Sequence, residues 1–133
     1  MRKRIHWTLL ILCGTLLAAA PPAYADKIAN IANHPIAAKM SEQDLRKNIV
    51  LAATKRGWMV EDAGPQQLKA TISAGRGQYE AAVNITYSDS AYSITLMNSK
   101  GFGQTGDSVN GRVNRWMKNL EADIAKQLAS PAV

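Results

Sequence analysis

Leu68-Lys69-Ala70-Thr71-Ile72-Ser73-Ala74, the turn Gly75-Arg76-Gly77, and then Glu80-Ala81-Ala82-Val83-Asn84-Ile85-Thr86-Tyr87 form the stretch that decides the fold. In the first run Leu68, Ala70, Ile72 and Ala74 alternate with Lys69, Thr71 and Ser73; in the second Ala81, Val83, Ile85 and Tyr87 alternate with Glu80, Asn84 and Thr86. Successive side chains of a strand point to opposite faces, so a period of two marks strands that are buried on one face and wet on the other. A short glycine-bearing connection makes the pair antiparallel. The pattern continues outward in both directions. After Ser88-Asp89-Ser90 it returns in Tyr92, Ile94 and Leu96, and before Gly64-Pro65 the run Trp58-Met59-Val60-Glu61 supplies one more strand. A four-stranded antiparallel meander is predicted.

Two amphipathic helices flank it. Ser41-Glu42-Gln43-Asp44 reads as a capping box, with the Ser41 hydroxyl accepting from the Asp44 amide. Leu45, Ile49, Ala52 and Ala53 then share one face, Lys55 and Arg56 suit the negative helix end, and Gly57 suits a left-handed cap, so a helix is expected from Ser41 to Arg56. A second is expected from a cap at Asp107 or Ser108 to just before Pro131, with Val109, Val113, Trp116, Met117, Leu120, Ile124 and Leu128 as its apolar stripe. Both stripes need an apolar surface, and the inward face of the sheet is the large one on offer. The expected fold is α+β, a two-layer sandwich in the order α-β-β-β-β-α with both helices on one face.

Ahead of this domain, residues 41–133, lies an arm, residues 26–40, rich in Ala, Asn and Ile, read as extended with a short strand near Ile28 to Ile31 and placed to cover a sheet edge. Residues 1–25 read as an export signal. Met1-Arg2-Lys3-Arg4 is basic, Ile5 to Ala20 is largely apolar, and Ala23-Tyr24-Ala25 suits cleavage before Asp26. A membrane span needs about 20 apolar residues, and Pro21-Pro22 ends a shorter run. Lipidation at Cys13 is the weaker alternative, because Leu12 stands where a small residue belongs. The expected location is the periplasm.

Cleavage changes the electrostatics. The full chain has 16 basic and 10 acidic residues; losing Arg2, Lys3 and Arg4 leaves 13 against 10, a net charge of +3 in place of +6. That balance gives no support for nucleic-acid binding, which calls for clustered cations with interleaved aromatics. The processed chain has no cysteine and so no disulfide, and the fold relies on hydrophobic burial.

Several short motifs carry a resemblance. Arg56-Gly57-Trp58 closing a helix, Leu68-x-Ala70, Val83-x-Ile85-x-Tyr87, Tyr92-Ser93-Ile94 with Asn98-Ser99, and Asn114-Arg115-Trp116 with Leu120 and Ile124 resemble a family of small exported proteins and lipoproteins of Gram-negative bacteria. The resemblance covers nearly the whole processed chain, including the segment from Ile31 to Ile36, and implies an exported protein without implying an activity or ligand. Family members often carry Ile-His at the start of the last helix. Here the pair is Val109-Asn110, so a role carried by that histidine is not implied for this chain.

The residues leave little room for catalysis. His34 is the one histidine after cleavage, beside Pro35 and without a nucleophile motif, and one histidine with no cysteine is a poor zinc set. Glu61-Asp62 is the one adjacent acidic pair. An enzyme of unrecognised type would have to bring His34, Glu61 and Asp62 into one pocket. Gly101-Phe102-Gly103-Gln104-Thr105-Gly106 spells G-x-G-x-x-G, but a dinucleotide site needs a parallel β-α-β unit and this loop ends an antiparallel meander. No cofactor is expected. Three binding surfaces remain: the polar sheet face with Thr71, Asn84, Thr86 and Thr95, an open sheet edge, and Phe102 at its loop tip. Arg112, Arg115 and Lys118 read as the solvated side of the last helix. The expected function is non-catalytic binding of an envelope protein or a small envelope component such as a glycan, with a structural or stress-tolerance role without a discrete ligand as the alternative.

Overall fold

The computed structural model describes residues 25–102 and 108–132. The export signal, Cys13 and most of the glycine-rich loop lie outside the described residues. Nine elements follow in order: β1 (Ala25–Lys27), β2 (Ile31–Pro35), α1 (Glu42–Lys55), β3 (Met59–Gly64), β4 (Gln67–Ala74), β5 (Tyr79–Tyr87), β6 (Ala91–Lys100), β7 (Ser108–Asn110) and α2 (Gly111–Ala129).

The fold is α+β. The alternating runs form the meander β3-β4-β5-β6, antiparallel throughout, with Leu68 opposite Ile85, Ala70 opposite Val83, and Ile85 opposite Ile94. These residues are buried, together with Ala81, Tyr87 and Tyr92, beneath Leu45, Ile49, Ala52 and Ala53 of α1 and Val113, Met117, Leu120, Ile124 and Leu128 of α2. Burying one such aliphatic side chain contributes about 1.5–3 kcal/mol. The helices are antiparallel: Asn48 meets Gln127, while Arg56, one helix end further on, meets Asp123. Ser41 caps α1 by accepting from the Asp44 amide at 3.1 Å, and Gly57 takes the left-handed conformation after it, φ +99°.

The sheet has five strands, not the four expected. Its order is β2-β6-β5-β4-β3, because the arm contributes β2 to the outer side of β6. The expected short strand near Ile28 to Ile31 is replaced by β2 and, earlier, by β1, which pairs with β7 in a separate two-stranded ribbon. The driving force is the edge of β6, whose backbone groups would otherwise be left unpaired. Where β2 bulges between Ile31 and His34, side chains bridge the strands: Asn30 Oδ1 accepts from the Leu96 amide and Ser93 Oγ accepts from the Asn33 amide, both at 2.9 Å. The β1–β7 ribbon also moves the start of α2. Ser108 is held extended, so the cap is Asn110, whose Oδ1 accepts from the Arg112 amide at 2.9 Å; Asp107 lies outside the described residues.

Candidate functional site

Each of the three surfaces can be built from its residues. On the polar face, register places Lys69, Asn84 and Thr95 in one cross-strand row, with Gln67, Thr86 and Ser93 in the row on one side of it and Thr71 in the row on the other. Thr71, Asn84, Thr86 and Thr95 therefore share this face. Its amides partly satisfy one another, since Gln67 Nε2 donates to Asn84 Oδ1 at 2.9 Å. Among the described residues no aromatic side chain stands on it: Trp58, Tyr87 and Tyr92 are buried, and Tyr79, Phe102 and Trp116 pack together at the core margin. Binding energy in interfaces concentrates on Trp, Tyr and Arg. The face offers instead two exposed methionines, Met59 on β3 and Met97 beside the β5–β6 bulge.

Phe102 does not project from its loop. It is partly buried, 5.0 Å from Tyr79 and edge-on to Trp116 at 5.4 Å between ring centres. The cleft beside it, about 570 Å³, opens toward Arg112, Arg115 and Asp26. Gly101 has a packing role here. It adopts φ +84°, and a Cβ on it would collide with the carbonyl oxygen of Gln78. Close approach of the Gln78 carbonyl accounts for that glycine of the G-x-G-x-x-G string.

His34, Glu61 and Asp62 are not brought together. His34 is on β2 and the two acids are on β3, the opposite edges of the sheet, so four strand spacings of about 4.8 Å separate them, roughly 19 Å. His34 instead stacks on Tyr92 with ring centres 4.8 Å apart, and its Nε2 lies 3.6 Å from Glu121 Oε1. Tyr92 donates to the Glu121 carbonyl at 3.2 Å, and burial first, then the Glu121 charge, push its phenol far above the ordinary range. Nothing in the sequence pairs His34 with a residue 87 positions later on another element. Asp62 has its own partners: its Oδ1 accepts from the Gly64 amide at 3.0 Å and lies 3.0 Å from the Arg46 guanidinium, which also donates to Tyr87. The Gly64 hydrogen bond and then Arg46 hold that carboxyl below its usual value. Among the described residues no three His, Cys, Asp or Glu side chains converge as a metal site would require, and no helix is long and apolar enough to cross a membrane.

The two sheet edges differ. On β2 the chain bulges, Asn33 sits at φ +50°, and Pro35 has no N–H to offer, three features that blunt an edge. On β3 the pairing with β4 runs in unbroken register from Met59 to Asp62, without proline, and no described strand covers its far side. Met59, Glu61 and Asp62 are exposed, and Val60 is half-buried toward the helices. Alternate residues of such an edge strand direct N–H and C=O groups outward, where an added strand can pair. No protein-family model matches this chain, and no curated protein does. The site is thus defined by its geometry.

A further cleft, about 550 Å³ between the helices, is lined by Lys55, Arg56, Lys126 and Asp123. Arg56 grips Asp123 through two hydrogen bonds of 2.5 and 2.9 Å, and both Lys55 and Lys126 sit in last helical turns, where cations oppose the negative dipole end. The same dipole ends disfavour an anionic ligand there.

Proposed function

We propose that this chain is exported, processed before Asp26, and acts in the periplasm as a non-catalytic binding domain that docks an extended segment of an envelope protein along β3. The observation carrying this reading is the unequal state of the two edges: β2 is bulged at its centre and closed by proline, while β3 keeps regular register from Met59 to Asp62, with its shift confined to Asp62–Gly64, and no described strand covers it. The competing surfaces have less to offer. The polar face lacks aromatic anchors, and Phe102 is engaged by Tyr79 and Trp116. Processing before Asp26 is compatible with the fold, since it removes one residue, Ala25, from the described strands. The resemblance to small exported proteins points the same way.

Site-specific photocrosslinking in intact cells tests this. A benzophenone amino acid at position 59 on β3 captures one discrete envelope protein, while the same group at position 32 on β2 or at position 86 on the polar face captures none. Equal capture from all three positions, or capture from position 32 alone, contradicts the reading.

A further inference from the structure

Resting on that reading, we propose that the segment docked on β3 carries a basic residue and an apolar residue two positions apart, set against Glu61 and Met59. Met59 and Glu61 lie opposite Thr71 and Lys69 in the β3–β4 register, so both stand on the solvent face with the spacing of alternate strand positions. A strand added to the free side places its own alternate side chains about 5 Å from each of them. Met59 is 67% exposed, and an apolar neighbour on the free side would remove it from water. Glu61 has a cation opposite it on the β4 side, Lys69, and none beyond β3 among the described residues. A Lys or Arg on the added strand supplies the second flank.

At the far end Asp62 closes the edge. Its carboxylate turns back to the Gly64 amide and to Arg46, which leaves Met59 to Asp62 as the pairing register. The acidic edge also selects against a second copy of this chain. Antiparallel self-pairing centred on Glu61 sets Glu61 against Glu61, and centred on Val60 it sets each Glu61 against Met59 of the other copy. Like charges directly opposite one another are destabilising, and a carboxylate pressed on a methionine loses water without gaining a partner. The same charge that blocks self-association therefore chooses a basic partner.

Two capped octapeptides test the chemistry, one repeating Lys-Thr-Val-Thr and the other Glu-Thr-Val-Thr, so that the charged residue and valine lie two positions apart on one face; each is titrated calorimetrically into the purified protein at low salt with amide exchange of β3 as the readout. The lysine peptide is expected to bind about fivefold tighter, the effect of changing one cross-strand pair from like to opposite charge, and to slow exchange at residues 59–62. This preference runs against the net +3 of the processed chain, which would repel a basic peptide elsewhere. Glu61→Lys, at an exposed edge position, is expected to reverse the preference, with the melting temperature lowered by only a few degrees because the new side chain faces Lys69. Equal binding of both peptides to β3, unaltered by Glu61→Lys, overturns the charge selection and leaves the edge reading standing. Absence of β3 protection with either peptide, or protection on β2, overturns both.

Discussion

Replacing Asn48 by alanine tests how the two helices are joined. Asn48 is fully buried in α1 and uses both ends of its amide: Nδ2 donates to the Asp44 carbonyl at 2.7 Å, and Oδ1 accepts from Gln127 Nε2 and from the Ala132 amide, both at 2.9 Å. It ties α1 to α2 and to the chain beyond it. Each such bond contributes about 1 kcal/mol net, and a donor left unsatisfied in the interior costs more. Gln127 and Ala132 are only partly buried, so water recovers some of the loss, and the expected cost of Asn48→Ala is about 2 kcal/mol. For a domain of this size that corresponds to a fall in Tm of about 10 °C. Urea unfolding followed by far-ultraviolet circular dichroism, with the slope m unchanged, measures it. A double-mutant cycle with Gln127→Ala isolates one bond and should show coupling of about 1 kcal/mol. A loss below about 0.5 kcal/mol, or strict additivity in the cycle, would refute the assignment of this amide as the tie between the helices.

Three further outcomes are expected. Gly101→Ala should destabilise the protein by about 1–3 kcal/mol in thermal melts, because the position combines φ +84° with a backbone carbonyl where the methyl would go, whereas Gly57→Ala meets no atom and pays for its φ of +99° alone. Trp58→Phe should cost far less than the roughly 3–5 kcal/mol of Trp58→Ala, since the buried indole N–H has no hydrogen-bond partner among the described residues to lose. The Asp123 carboxyl is held below the ordinary 3.8, first by its hydrogen bond from Arg56. As pH falls the unfolded chain therefore takes up the proton before the folded one, so this contribution is complete above about pH 5 and is lost as pH drops through the unfolded and then the folded value. Melts recorded from pH 7 to pH 2 should fall less steeply for Asp123→Asn than for the parent.

The meander and both helices were legible because their signals are local. Period-two alternation from Leu68 to Leu96 requires only that one face be buried, and Ser41 with Asp44 makes its cap within a single turn. The fifth strand was legible only as an arm extended over a sheet edge, not in its residues or its partner. Ile31-Ala32-Asn33-His34-Pro35 has no alternation, contains a left-handed Asn33, and ends on a proline; what makes it a strand is the unpaired edge of β6, some sixty residues later. The start of α2 was misplaced for a similar reason, since β1 pairs with residues 108–110 and holds them extended. The candidate site divides the same way. Thr71, Asn84, Thr86 and Thr95 were placed on one face by parity alone, but the openness of β3 depends on where β2 goes, and the separation of His34 from Glu61 and Asp62 depends on the complete strand order. Long-range pairing decides both.

The proposed docking of a strand on β3 has a residue-level signature. Residue-resolved amide exchange of the protein, alone and with the envelope protein captured at position 59, tests it most directly. Docking by strand addition predicts slowed exchange at alternate amides between Met59 and Asp62, with β2 unchanged. Protection around Phe102 or along β2, or no change at β3, contradicts it.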